Sequence, residues 1–306
     1  MMAEFVVVDL PAMLAGVLAA LACGLLGNFL VLRRQSLVGD AISHVVLLGI
    51  VGAFLITGTV ASWAMLLGAG IAAMLAVALI ELIGRIGLLD RGTAMGVVFT
   101  TMFAAGVVLL EQSGARNVHL DVQHSLYGNI EGTIWLAATG PGSLVDPAAL
   151  AELPPVIPRL VVVTLLIGAL VLLFYKELKL VTFDPILADG LGISSRWLSA
   201  GLIGLVAVAA VAAFDAVGSI LVIAMFVCPA ATARMLTDRL GHQMGISIAA
   251  AVLSGALGYV LAAFGPFWVG LDGSVSAAGM IAVVAGLLQA AAMLWAPRHG
   301  ALRRRG

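Results

Sequence analysis

Nine long apolar runs dominate the sequence: residues 11–32, 40–57, 59–83, 93–112, 157–175, 197–213, 216–233, 244–264 and 274–296. Each approaches the roughly 20 residues that one helix needs to cross a hydrocarbon core. Of the 306 residues, 62% are hydrophobic and only 10% are charged, against about 25% charged in ordinary soluble domains. A soluble globule of this size would have to carry a largely apolar surface. That excludes a soluble enzyme, a nucleic-acid binder and a disordered protein. It predicts an all-α polytopic membrane protein, with residues 1–306 forming a single transmembrane domain of about nine helices. The apolar residues are mainly small or aliphatic, with 36 glycines and 6% aromatics, which suits close helix packing in lipid. The first run is too long for a signal-peptide core and is preceded by Glu4 and Asp9 rather than lysines, so it reads as a span. Cys23 and Cys228 lie in separate apolar runs and offer neither a disulfide framework nor a paired metal motif.

The placement of charge orients the chain. With the N-terminus outside and nine spans, the inner connections hold 13 of the 15 basic residues, and the outer parts hold only Arg116 and Arg159. The positive-inside rule therefore predicts an external N-terminus and a cytoplasmic C-terminus. Segment 113–156 becomes an external loop, with Pro141, Pro147, Pro154 and Pro155 in its second part.

Ionisable residues inside spans are costly, about 2.5–3.5 kcal/mol for Asp at a helix centre, and so are functional candidates. Glu81 and Arg85 are spaced for an ion pair at the inner end of the third run. Asp215 reads as a polar residue in a tight external turn over residues 214–218, between the sixth and seventh runs. Asp40 and His44 remain. They stand four apart and share one helix face, so a carboxylate and an imidazole could hold one divalent cation. The same spacing is compatible with an Asp–His hydrogen bond, or with Asp40 capping the helix after Gly39. One chain supplies two such ligands; a dimer meeting on this face would supply a mixed O/N set suited to Mn²⁺, Fe²⁺ or Zn²⁺. His119, Asp121 and His124, with Glu131 beyond, make a second polar group in the external loop, read either as a solvated loop or as a relay for an incoming ion. No other cofactor is indicated.

Between the fifth and sixth runs lies Phe183-Asp184-Pro185-Ile186-Leu187-Ala188-Asp189-Gly190-Leu191-Gly192-Ile193. Asp184 suits an N-cap, Pro185 a first helical position, and Gly190 and Gly192 a stop. This predicts a two-turn cytoplasmic helix over 184–192, with Ile186, Leu187 and Leu191 available to dock on the protein's own loops or on a partner. The sequence has no GxxxxGK[ST] phosphate loop, so the chain has no such site for ATP hydrolysis of its own.

Four segments, Ser36 to Ile50, Leu126 to Ile130, Phe183 to Ile193 and Val217 to Arg234, resemble the permeases of zinc/manganese/iron ABC importers. The resemblance implies the type II permease fold, of the vitamin B12 and metal-chelate kind, in a multi-pass protein of the bacterial plasma membrane. It implies a second permease subunit, identical or paralogous, a pair of cytoplasmic ABC ATPase subunits, and an extracytoplasmic metal-binding protein as partners. It further implies that Asp40 and His44 line the metal path. Asp184, Pro185, Ile186, Leu187, Gly190 and Gly192 would then belong to the coupling helix that fits the ATPase. The expected cargo is Mn²⁺, with Zn²⁺ or Fe²⁺ next. The rival reading is a proton-coupled secondary metal transporter built on the Asp40/His44 pair. One departure is Leu48, where the family usually has proline; a straighter second span is the expected result. Pro229 is expected to bend the seventh.

Overall fold

The computed structural model describes residues 4–36, 38–58, 62–87, 89, 91–112, 128, 130–268, 270 and 275–296. Among these residues the regular structure is entirely helical. In chain order the α-helices are α1 (Leu10–Leu32), α2 (Val38–Thr57), α3 (Ser62–Ile86), α4 (Arg91–Gln112), α5 (Pro147–Ala151), α6 (Val156–Leu173), α7 (Tyr175–Phe183), α8 (Pro185–Gly190), α9 (Ser195–Leu236), α10 (Leu240–Trp268) and α11 (Ala277–Trp295). Eight stretches of the described residues are long and apolar enough to cross a membrane, and His44–Thr57 of α2 is a shorter apolar helix. Together they correspond to the nine runs of the sequence.

Ala216–Leu236 is the most buried of the eight: two-thirds of that window lies inside the protein, against 22% for the spans in α3 and α6. Lipid is as apolar as leucine, so helices associate in it by close contact rather than by a hydrophobic gain. Glycine supplies that contact here. A methyl group on Gly27 of α1 would strike the carbonyl oxygen of Phe226, and one on Gly39 of α2 would lie 2.5 Å from the Phe226 ring. Phe226, fully buried, is thus wedged between α1 and the start of α2. Gly49 of α2 and Gly68 of α3 bring their backbones into direct contact, and Gly106 of α4 lets α4 lie against the backbone of Leu48. The backbone of α2 is helical through Leu48.

The sixth and seventh runs are joined within the turn expected over residues 214–218, but only its last residue leaves the helix. Residues 214–217, including Asp215, are helical, and the chain leaves helical geometry at Gly218, with φ 72° and ψ 171°. No turn loop intervenes. A straight helix of the 42 residues in α9 would run about 63 Å. Yet Arg33 at the end of α1 bonds Ser199 near the start of α9, and Asn28 of α1 bonds Gln243 just beyond its end. Both ends of α9 therefore lie at one end of the bundle, and Gly218 folds the helix back on itself. Positive φ is open to glycine at little cost, and the backbone of Gly128 packs directly against Ala216–Gly218. Pro229 lies within helical backbone, so the departure from helical geometry occurs at Gly218 rather than at the proline.

Segment 113–156 ends as a small folded cap. Pro11 lacks an N–H and cannot bond the carbonyl of Val7 one turn earlier; that carbonyl accepts the Trp135 backbone N–H at 2.8 Å instead. The chain before it forms a π-turn over Phe5–Asp9. Trp135 is buried, and its indole N–H donates to the Ala149 carbonyl at 2.9 Å.

The glycine contacts lead to a stability prediction. Gly27→Ala should cost about 1–3 kcal/mol through overpacking, seen as a lower thermal midpoint of the detergent-purified protein. Gly70→Ala, with open space around the new methyl, should leave the midpoint unchanged.

Candidate functional site

Asp40 and His44 both fall in α2, one turn apart, so their positions share a face as the spacing predicts. The Asp40 side chain lies outside the described residues. His44 is half-buried, and α4 holds its ring. Phe99 stacks on the imidazole with ring centroids 5.8 Å apart and an interplanar angle of 24°; Phe103 meets it edge-on at 5.4 Å and 71°. Phe99 and Phe103 are themselves one turn apart on α4, so both rings present to the same strip of α2. The close approach of Gly106 to Leu48 sets α4 near enough for both contacts. Such aromatic contacts favour offset or edge-on arrangements and restrict how a ring can turn.

Phe99 also lines a small cleft between α2, α3, α4 and α9, whose walls are apolar except for Gln35 and Glu81. The Arg85 side chain, the expected partner of Glu81, lies outside the described residues. Among the described residues no three His, Cys, Asp or Glu side chains gather into one group. Cys23 is buried and Cys228 half-buried, both as free thiols.

Of the external group, His119, Asp121 and His124 lie outside the described residues. Glu131 sits in a short 3-10 turn, Ile130–Gly132. Its carboxylate accepts the backbone N–H of Ala277 at 2.7 Å, an uncompensated donor at the start of α11. Nearby, the Tyr259 hydroxyl donates to Asp9 at 2.9 Å. Glu131 thus fastens the cap to α11.

In segment 184–192 the helix spans Pro185–Gly190, shorter than expected and with Gly190 as its last residue rather than a stop beyond it. Asp184 accepts the Leu187 backbone N–H at 2.9 Å, Pro185 opens α8, and Gly192 takes φ 81° after the helix. The Ile193 N–H returns to the Ala188 carbonyl at 2.9 Å. Ala188 is buried, while Ile186 is 85% exposed and Leu187 and Leu191 are also outside. One residue of this segment carried no signal in the sequence reading. Asp189 accepts both the backbone N–H and the hydroxyl of Ser195, each at 2.8 Å, and so clasps α8 to the first turn of α9.

The sequence pattern of the ABC 3 transport family matches residues 6–134 and 156–296. The chain belongs to this family. Among its relatives is the manganese transport system membrane protein MntD of Bacillus subtilis, 40% identical over 95% of this chain and 92% of that protein. The zinc transport system membrane protein TroD of Treponema pallidum is 39% identical over 96% of this chain and 76% of its own length. Among solved structures, PsaBC from Streptococcus pneumoniae in complex with Fab aligns over the full length of both chains, with a TM-score of 0.74 and 25% identity. An inward-facing metal-chelate type ABC transporter shares the fold at a TM-score of 0.62. The fold of this ABC 3 chain is therefore that of metal-chelate-type ABC permeases, as its motifs led one to expect.

The Asp189 clasp has a defined pH behaviour. The Ser195 backbone and side-chain hydrogen bonds hold the Asp189 carboxyl below its ordinary value. A lowered carboxyl stabilises the fold above its unfolded value, about 3.9, and loses that contribution only as pH falls through the lowered one. The clasp should therefore be constant from about pH 5 upward. Asp189→Ala should speed amide exchange at the first turn of α9 about fivefold, the usual effect of losing a cap, as read by hydrogen exchange with mass spectrometry.

Proposed function

We propose that this chain is the membrane permease subunit of an ATP-driven importer of divalent transition-metal ions, with Mn²⁺ its favoured cargo and Zn²⁺ or Fe²⁺ next. The observation that carries the reading is the His44 imidazole, one turn from Asp40 and braced by two phenylalanines, in a chain whose family relatives are named for manganese, zinc and chelated-iron transport. A carboxylate and an imidazole without thiolate suit Mn²⁺, although binding strength alone favours Zn²⁺. Two ligands do not enclose an ion, so the site is completed by Asp40 and His44 of a second permease subunit facing the first.

The remaining parts follow from this arrangement. The N-terminus faces outward and the C-terminus inward in the bacterial plasma membrane. An extracytoplasmic metal-binding protein docks on the face that carries segment 113–156, where His119, Asp121 and His124 meet the released ion. On the cytoplasmic side α8 presents Ile186 and Leu187 to an ABC ATPase subunit. Closure of the ATPase pair moves the two α8 helices and turns the cavity between the permeases from outward- to inward-facing. ATP hydrolysis belongs to that partner, and the ion is cargo rather than a resident cofactor.

The test is uptake of radiolabelled Mn²⁺ by cells lacking the protein, complemented with wild type or variants, with unlabelled Zn²⁺ and Fe²⁺ as competitors. Wild type should restore ATP-dependent uptake, and Asp40→Ala and His44→Ala should abolish it at unchanged protein level. Normal uptake in Asp40→Ala would overturn the site. Phe99→Leu and Phe103→Leu should each raise the half-saturating Mn²⁺ concentration by about 2–10-fold, the worth of one aromatic contact, with Tyr at either position restoring it.

A further inference from the structure

Between the exposed α8 and the Asp40/His44 helix stands Arg33, whose side chain bonds both helices that flank α8 and whose backbone leads into α2. Arg33 caps the end of α1. Its Nε donates to the Thr182 hydroxyl at 3.0 Å and its Nη1 to the Ser199 hydroxyl at 2.9 Å. Thr182 lies on α7, just before α8, and Ser199 lies in the second turn of α9, just after it. The guanidinium therefore closes a ring at the base of the α7–α8–α9 segment. The planar fork of arginine is suited to bridging two fixed acceptors in this way. Within the ring, the Asp189–Ser195 clasp ties α8 to α9. A displacement of α8 is then carried to its base as a unit rather than absorbed in a loop.

The other side of Arg33 is equally stiff. The turn that follows is a Schellman arrangement: the Arg34 N–H bonds the Val31 carbonyl at 3.1 Å and the Gln35 N–H bonds the Leu30 carbonyl at 2.8 Å. Arg34 takes φ 57°, a left-handed conformation held without glycine. The Val38 N–H then bonds the Gln35 carbonyl at 3.0 Å, opening α2, and Gly39 seats against Phe226. Asp40 follows immediately. Contiguous rigid contacts of this kind are what carry a displacement between distant sites.

We infer that Arg33 is the positioning residue through which α8 moves α2, so that it couples ATP hydrolysis by the partner to reorientation of the metal path. This deepens the importer reading and rests on it. On this reading Arg33 acts through Thr182, Ser199 and the α1–α2 turn.

The experiment reconstitutes the permease with its ATP-hydrolysing subunit in proteoliposomes and measures Mn²⁺ moved per ATP hydrolysed. Arg33→Gln should retain ATP hydrolysis while Mn²⁺ per ATP falls about tenfold, the scale expected for losing hydrogen bonds from a charged donor. Thr182→Ala/Ser199→Ala, which leaves the arginine in place, should give the same fall, and Arg33→Lys an intermediate one. Wild-type Mn²⁺ per ATP in Arg33→Gln and in the double variant overturns the inference while leaving the importer reading intact. A parallel loss of both activities with the amount of folded protein also overturns it, since that is the signature of a merely structural tie. Failure of the wild type to move Mn²⁺, Zn²⁺ or Fe²⁺ with ATP removes the importer reading, and this inference with it.

Discussion

The structure depends on helix backbones meeting at glycine. In an apolar solvent two leucine-covered helices gain little by touching, so the contacts that hold this bundle are those in which one helix enters the surface of another. Phe226 is the centre of this arrangement. Its ring fills the space that a side chain at Gly39 would take, and its carbonyl lies where a side chain at Gly27 would be. Through that one residue the second limb of α9 is fastened to both α1 and α2. The same device joins α2 to α3 at Gly49 and Gly68, α2 to α4 at Gly106, and α10 to α11 at Gly258, which packs on Ile281.

Backbone groups released by the chain's irregular residues are taken up by its loops. Pro11 frees the Val7 carbonyl, and Trp135 binds it. Gly218 breaks α9, and Gly128 packs on the break. The amide at the start of α11 is bonded by Glu131. Unsatisfied backbone groups in a low-dielectric setting cost several kcal/mol, so these pairings decide where the end of segment 113–156 can lie. The candidate site is a by-product of the same packing. His44 faces Phe99 and Phe103 because Gly106 lets α4 come up to α2, and the orientation of the His44 ring thus depends on a contact at Leu48, one turn further along α2.

Much of this was legible in the sequence because it depends on local physics. Apolar length marks the spans, whatever their neighbours. Asp184, Pro185 and Gly192 cap, start and stop α8 by interactions within a few residues. Asp40 and His44 share a face because four residues make about one turn. The turn expected over residues 214–218 was legible too, because aspartate and glycine are common turn formers; that only its last residue, Gly218, leaves helical geometry depends on the segment packed against it. Phe99, Phe103, Arg33 and Asp189 carried no signal of their own. Their roles lie in contacts with residues as far away as Thr182 and Ser199.

By itself, then, the sequence determined that the chain lives in a membrane, roughly how many times its helices can span it, where the short exposed helix begins and ends, and which two polar residues stand together on a spanning helix. Each of these follows from composition or from spacing within one helix. Tertiary structure alone decided which glycines are contact points, how far α9 doubles back at Gly218, which aromatic rings brace His44, and that Arg33 at the end of α1 bonds the two helices flanking α8. Those choices depend on which helices come into register in three dimensions; of them only the reversal at Gly218 had a local mark, in the turn expected over residues 214–218.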